Sequence, residues 1–262
     1  LPDVPSVACF DTAFHTTLPA AASTYAVPRA WHERHGVRKY GFHGLSHAYA
    51  TRRTGQLLGG MPRRLVVAHL GAGCSLTAVV DGRSRDTTMG FTPLAGLVMA
   101  TRSGDVDPGL VLWLEQHEGL SPSDVATALE HEAGLTALAG TADMRAVLRA
   151  ERDGDERAVL ALEVYVHRLV TLAGGMAAAA GGLDVLVFTG GVGEHAAEVR
   201  RRCVEGLAHL GPALDADANA AADTSSKDEE ITGGSAAVRT FVVRAREDLQ
   251  MAAECRELLA PT

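Results

Sequence analysis

The residues of this 262-residue chain whose types and spacing can do chemistry fall in a few short stretches. Asp11 sits between aromatics in Phe10-Asp11-Thr12-Ala13-Phe14-His15, an unusual place for a carboxylate unless it is paired or functional. His43 and His47 are four apart, a spacing that on a helix would set two metal ligands on one face. Gly41 and Gly44 flank the first, and no His-Glu-x-x-His pattern is present; His32-Glu33-Arg34-His35 is one residue short. A zinc hydrolase therefore rests on that pair alone, and a structural or substrate-contacting histidine is the stronger reading. Arg102 stands among small residues just ahead of Asp105-Val106-Asp107-Pro108, where its planar fork suits a fixed anion. The same loop also reads as plain surface with capping aspartates. Asp143-Met144-Arg145 reads as an aspartate-capped helix start with an ordinary exposed arginine.

Two glycine-rich turns complete the set. Gly71-Ala72-Gly73 and Gly190-Gly191-Val192-Gly193 each follow a β-type run and turn backbone N–H groups outward, which favours an anion such as phosphate. Neither is a Walker P-loop, since no Gly-Lys-Ser/Thr follows, and the second lacks full G-x-G-x-x-G spacing. Glu194 would put a carboxylate near any phosphate bound there. Each turn alone also reads as a simple tight turn. Gly-x-Ser-x-Gly is absent, so a serine hydrolase of the usual α/β type gains little support.

These residues need elements to hold them. Arg64–His69 and Ser75–Val80 are β-branched apolar runs, and Asp81-Gly82 predicts a hairpin returning through Arg83–Thr88. Asp107-Pro108 and Ser121-Pro122 each open a helix. The apolar spacing from Asp155 to Ala180 predicts one long buried helix, with Gly174-Gly175 marking a close backbone approach or a kink. Leu183–Thr189 reads as a buried strand leading to a helix over about Ala196–Leu210. Thr224–Ser235 reads as a polar loop, Arg239–Val243 as a strand and Glu247–Leu259 as a final helix. The first 60 residues read as loops and short helices around Pro2, Pro5, Pro19 and Pro28. The fold class is α/β with a mixed sheet.

Composition narrows the function. Asp and Glu number 32 against 24 Lys and Arg, a net charge of −8, which argues against general affinity for nucleic acid or an anionic membrane. Hydrophobic residues make up 47%, enough for a sizeable core, and no uninterrupted apolar run approaches the roughly 18–20 residues of a bilayer span. Cys9, Cys74, Cys203 and Cys255 are scattered without a CxxC, which suits a reducing, cytoplasmic setting.

Together these stretches resemble the acetate kinase (acetokinase) family over essentially the whole chain. The resemblance lies in Phe10–His15, Tyr40-Gly41-Phe42-His43-Gly44, His69-Leu70-Gly71-Ala72-Gly73, Thr101–Asp105, Asp143–Arg145 and Val187–Glu194. It implies a ribonuclease-H-like lobe of the actin-like ATPase superfamily and reversible phosphoryl transfer from ATP to acetate with magnesium. By that resemblance Asp11, His43 and Arg102 are catalytic, the last two as donors to the in-flight phosphoryl group. His69, Leu70, Gly71, Ala72, Gly73, Asp143, Met144, Arg145, Gly191, Val192, Gly193, Glu194 and His195 would bind ATP or ADP. Glu247 would help hold Mg2+, and the complete enzyme would be a homodimer acting on acetate or propionate.

The departures carry expectations too. Ala72 and His195 stand where the family usually has asparagine, and Ala245-Arg246-Glu247-Asp248 stands for Thr-Asn-Glu-Glu. The family's N-terminal strand, phosphate-contacting loop and substrate arginine have no counterpart in this sequence. The resemblance therefore divides the chain into a remnant of the first lobe (1–12), a nucleotide-binding lobe (13–247) and a C-terminal helix returning to the first lobe (248–262). The leading expectation is the C-terminal portion of such a kinase, incomplete without the first lobe. The alternative is a truncated, non-catalytic nucleotide- or partner-binding homologue. Leu94–Met99 is an apolar stretch that could contribute to a dimer interface.

Overall fold

The computed structural model describes residues 4–225 and 227–260. Positions 1–3 and 261–262, at the outer ends of the expected remnant and C-terminal segment, and Ser226 in the expected polar loop, lie outside the described residues.

Six strands form one mixed sheet: β1 (Arg64–Leu70), β2 (Cys74–Val80), β3 (Arg83–Thr87), β4 (Val185–Thr189), β5 (Glu229–Glu230) and β6 (Arg239–Val242), in the order β3-β2-β1-β4-β6-β5. β1, β2 and β3 run antiparallel, and β1, β4 and β6 run parallel. Asp81 and Gly82 both take positive φ, the backbone that a two-residue hairpin matching strand twist requires. β5 is a two-residue edge pairing inside the stretch expected to be loop, with Glu229 opposite Val242.

Twelve helices surround the sheet among the described residues: α1 (Ala20–Ser23), α2 (Arg29–His35), α3 (Gly44–Leu58), α4 (Pro108–His117), α5 (Pro122–Thr127) and α6 (Gly134–Ala139) come first. They continue as α7 (Met144–Arg152), α8 (Glu156–Ala179), α9 (Gly190–His195), α10 (Ala197–Gly206), α11 (Ala216–Ala221) and α12 (Glu247–Leu259). Strand periodicity splits the core in two. Val66, Ala68, Leu70, Leu76 and Phe188 pack with Leu162, Tyr165, Leu169 and Ala173 of α8. The alternate residues Leu65, Val67, Val79, Val185 and Val187 pack with Tyr49 and Ala50 of α3. Each fully buried aliphatic side chain contributes about 1.5–3 kcal/mol, so the sheet is clamped from both faces.

Helix α3 is the element that the sequence hides. Its buried face carries Ser46, His47, Thr51 and Thr54, so polar residues occupy positions where an apolar stripe would announce a helix. Helix α8 runs unbroken through Gly174 and Gly175, and nothing approaches within 4 Å of where a Cβ would stand on either. The expected close backbone approach is absent because no other part of the chain packs against these glycines. α8 is also long and apolar enough to cross a bilayer by length and composition. Here it is the central helix over the sheet, packed against β1, β2, α6, α7 and α10. α12 spans the predicted residues and packs on α3. Leu97, Val98 and Met99 are buried in the core, so that part of Leu94–Met99 is not free surface for an interface.

Candidate active site

The parallel strands β1 and β4 end side by side, with His69 opposite Thr189, so both glycine turns emerge at one edge of the sheet. Gly71 N–H donates to the Gly73 carbonyl at 3.0 Å, closing the first turn. Gly190 has φ 77°, and a Cβ there would stand 2.9 Å from the Leu70 carbonyl oxygen. The two turns touch because a residue with no side chain lets them. The expected helix after the second turn begins earlier, at Gly190, and is interrupted at Ala196 before α10.

Next to these turns lies a cleft of about 380 Å³. Its walls are Gly71 and Ala72 from the first turn, Asp143, Met144 and Arg145 from the start of α7, and Gly191, Val192 and His195 from α9, with Leu148 at its apolar side. Three sequence-distant stretches that were expected to bind nucleotide thus share one cavity. Asp143 caps α7 by accepting from Arg145 N–H at 2.9 Å, and its carboxylate pairs with the Arg145 guanidinium at 3.0 Å. That pairing holds the Asp143 carboxyl below its ordinary value.

Other expected nucleotide residues face elsewhere. Leu70 is buried in the core, and the absent Cβ of Gly193 points at Phe188 and Ala68. Glu194 is turned away from the cleft: its Oε2 accepts from Thr224 Oγ1 at 2.6 Å and its Oε1 from Ala245 N–H at 2.9 Å. Its carboxylate therefore ties α9 to the segment before α12 and does not confront a phosphate through the cleft wall.

A second cluster adjoins Gly73. A Cβ on Gly73 would meet His43 Nε2 and Cε1 at 3.1 Å and Arg102 Nη1 at 3.4 Å, so both side chains reach over this glycine. His43 is the residue before α3, at φ 55°, and not a member of the helix. The His43/His47 pair consequently does not present two ligands on a helical face; both rings converge on Ser75 Oγ, at 3.0 and 2.7 Å. Asp11 holds the unusual backbone at His43 in place: its Oδ2 accepts from His43 N–H at 2.7 Å and its Oδ1 from Leu45 N–H at 3.4 Å. Burial first, then the positive charge of Arg102 against the opposing pull of Asp11, lowers the His43 pKa from its ordinary value. His69 stacks on His43 with ring centroids 4.3 Å apart, and burial pushes its pKa down to about 3.

The Arg102 loop is fixed by backbone. Ala100 N–H donates to the Ala72 carbonyl at 3.1 Å, linking the loop to the first glycine turn. Gly96 N–H donates to Asp105 Oδ1 at 2.7 Å, and Gly104 and Gly134 both take positive φ where a Cβ would strike backbone. Arg102 Nη1 reaches only the Pro93 carbonyl, at 3.4 Å, and Met99 Sδ, at 3.9 Å, which leaves its guanidinium available to an anion. Among the described residues no ion pair engages it.

Glu247 opens α12, and burial together with the negative charge of Asp11 pushes its carboxyl above its ordinary value. Carboxylate oxygens suit a hard cation, and Mg2+ typically takes one or two carboxylates plus phosphate and water. Among the described residues no group of three or more His, Cys, Asp or Glu gathers into an all-protein metal site. The residues present fit a cation brought with its phosphates.

One supporting residue has no counterpart in the sequence-based expectations. Arg200 is 1% exposed and donates to the carbonyls of Gly193 (2.9 Å), Glu194 (2.7 Å) and Asn219 (2.7 Å) and to Asn219 Oδ1 (2.7 Å). It satisfies the end of α9 and so supports the cleft wall. Its signal was present: in Arg200-Arg201-Arg202 only the first falls on the stripe of Ala196, Val199, Cys203 and Leu207.

The fold and its site define a mixed-sheet α/β lobe of the actin-like ATPase type with two glycine turns at one sheet edge. The model of the acetokinase family matches residues 1–253, and the chain belongs to that family. An acetate kinase of Deinococcus deserti is 49% identical over 262 residues, covering 98% of this chain and 65% of its own length. One of Microcystis aeruginosa is 47% identical over 261 residues, covering 98% and 64%. Among solved structures, Porphyromonas gingivalis acetate kinase superposes with a TM-score of 0.91 at 38% identity, covering 95% of this chain and 63% of that one. A propionate kinase from Francisella tularensis gives 0.90 at 40%, covering 97% and 64%. The chain thus spans a little under two thirds of the length of these relatives.

Proposed function

We propose that this chain supplies the nucleotide-binding lobe of an acetate kinase, transferring the γ-phosphoryl group of ATP reversibly to acetate or propionate. The observation that carries this is the placement of His43 and Arg102 over Gly73, the residue that closes the turn lining the 380 Å³ cleft. In the forward direction a carboxylate oxygen of the acid attacks the γ-phosphorus. The new O–P bond forms as the bond to the β-phosphate oxygen breaks, and ADP leaves with that electron pair, giving an acyl phosphate. Such a transfer needs positioning and charge neutralisation more than covalent work by the protein.

The chain's residues divide those tasks. The cleft between Ala72, Met144 and Val192 would take the nucleoside, and the N–H groups of the two glycine turns would face its phosphates. Arg102 and His43 would donate to the equatorial oxygens of the phosphoryl group, where charge develops. Asp11 would fix His43 through its backbone, and Asp11 with Glu247 would hold Mg2+. When bound, that ion neutralises phosphate charge. Ala72 offers no side-chain donor, so its contribution is limited to backbone.

As in the family that it belongs to, the complete protein would be a cytoplasmic homodimer. What supports a dimer here is α4, which has no buried residue and exposes Leu110, Leu112 and Trp113. Sedimentation equilibrium at twice the single-chain mass checks this, and a mass of one chain overturns it. The activity is tested by trapping acetyl phosphate as its hydroxamate with the protein that carries this chain. Turnover dependent on both ATP and acetate is expected. Nucleotide binding without any turnover would contradict the catalytic reading.

A further inference from the structure

Behind the His43 ring lies a buried chain of hydrogen bonds. Ser75 Oγ, fully buried, is 3.0 Å from His43 Nδ1 and 2.7 Å from His47 Nε2, and His47 is fully buried as well. A serine hydroxyl carries one hydrogen, so it can donate to only one of the two rings. The states of the two histidines are therefore coupled through one hydrogen.

Four arrangements exist for neutral rings. In the first, His47 Nε2–H donates to Ser75 Oγ, and the Ser75 hydroxyl donates to His43 Nδ1. His43 then carries its proton on Nε2, at the atom that reaches over Gly73. In the second, the direction reverses: His43 Nδ1–H donates to Ser75, Ser75 donates to His47 Nε2, and His47 must carry its proton on Nδ1. In the third, both rings donate and the Ser75 hydrogen has no acceptor. In the fourth neither ring donates: His47 again carries its proton on Nδ1, and the one ring nitrogen that Ser75 does not serve sets its lone pair against the Ser75 oxygen.

His47 Nδ1 decides among them, because it is buried and has no hydrogen-bond partner. The second and fourth arrangements would bury an unpaired N–H there, and the third would orphan a buried O–H. Stranding a buried donor is the rarer and costlier failure, whereas the first arrangement strands only a ring lone pair. Burial, with the neighbouring His15, His69 and His43, keeps His47 from charging. A cationic His47, which could donate from both nitrogens, is thereby disfavoured.

We propose that Ser75 and His47 are positioning residues that lock His43 in its Nε2–H tautomer, presenting an N–H donor over Gly73 beside Arg102. The inference deepens the phosphoryl-transfer reading, and its use in catalysis rests on that reading. The tautomer itself does not. Without the lock, a neutral imidazole would divide its population between a donor and an acceptor at Nε2, and only the donor form suits a phosphoryl oxygen.

The test is long-range 1H–15N correlation of the histidine rings in the full chain labelled at histidine, without nucleotide, with His43 assigned by its loss in His43→Gln. His43 and His47 are both expected as Nε2–H tautomers. In Ser75→Ala, His43 should shift to a mixture of tautomers, and Ser75→Thr, which restores a hydroxyl, should return it toward Nε2–H. An Nδ1–H tautomer at His43 in the wild-type chain overturns the proposal, as does a His43 tautomer unmoved by Ser75→Ala. Should Ser75→Ala fail to fold, the wild-type tautomers and those of Ser75→Thr decide. Because the spectrum requires no turnover, an inactive chain with the expected tautomers would count against the proposed activity and leave the lock standing.

Discussion

The Oδ2 of Asp11 accepts the backbone N–H of His43 at 2.7 Å, so this carboxylate caps helix α3 from another part of the chain. It replaces the side-chain cap that His43 does not provide for itself. Asp11→Ala should therefore cost about 1 kcal/mol of stability, the usual worth of a helix cap. Asp11→Asn retains an acceptor oxygen and should recover most of that loss. It removes the charge, however, so hydroxamate-trapped turnover should still fall at least tenfold. Urea unfolding and the trapping assay read the two effects separately, and equal stability in all three proteins would dismiss the cap.

Arg200 should be among the most sensitive positions outside the cleft. Its four hydrogen-bond acceptors are carbonyl or amide oxygens, and among the described residues no carboxylate pairs with it. Burial alone lowers its pKa to about 10, still well above neutrality. Arg200→Met would leave buried acceptors at Gly193, Glu194 and Asn219 unpaired, each costing about 1–3 kcal/mol. A total loss above about 3 kcal/mol in urea unfolding is expected. A loss under about 1 kcal/mol would mean that water replaces the guanidinium without penalty.

Gly191 offers a cleaner probe of the cleft. No atom lies within 4 Å of where its Cβ would stand, and its φ is not in the left-handed region. Gly191→Leu should fold normally and extend a side chain into the cavity. Calorimetric titration with ATP and magnesium should then show affinity weakened at least tenfold. Unchanged affinity would place the nucleotide elsewhere.

The buried histidines predict an acid-side loss of stability. His15 is 1% exposed, and burial lowers its pKa from 6.5 to about 4, despite the Phe42 carbonyl that it contacts. The unfolded chain takes up this proton at higher pH than the folded chain, so stability rises with pH between those values. The contribution is fully present above about pH 6.5 and is lost progressively as pH falls toward 4. Its size is on the order of 3 kcal/mol for this residue. Urea midpoints at pH 7.5, 6 and 5 should fall in that order; a flat profile would show that His15 is solvated or already charged.

Much of the architecture was legible because strands and turns declare themselves locally. Asp81-Gly82 fixed the hairpin, and the apolar runs at 64–69 and 183–189, the second read as fully buried, declare the strands β1 and β4 because both faces of the sheet are covered. α3 did not, because its inward face mixes Ser46, His47, Thr51 and Thr54 with Leu45, Tyr49 and Ala50, so no continuous apolar stripe marks it. The expected catalytic residues His43 and Arg102 do come together. Ser75 was invisible as a functional support because its partners are brought close only by the sheet; Arg200 showed itself only as an arginine on an apolar stripe, since its acceptors are gathered by the end of α9 and by Asn219. Glu194 looked like a threat to phosphate from its position in the chain; its rotation toward Thr224 and Ala245 is a tertiary fact that no local pattern encodes.

On the proposed function, Arg102 and His43 act together on a phosphoryl group over Gly73. The turnover number of Arg102→Ala in the protein that carries this chain, measured by hydroxamate trapping at saturating ATP and acetate, tests that pairing. Removing a preorganised donor to transition-state charge typically costs about 10²–10³ in rate. A fall of that size, with ATP affinity changed less than threefold, is the predicted result. A turnover number within tenfold of wild type would contradict the account.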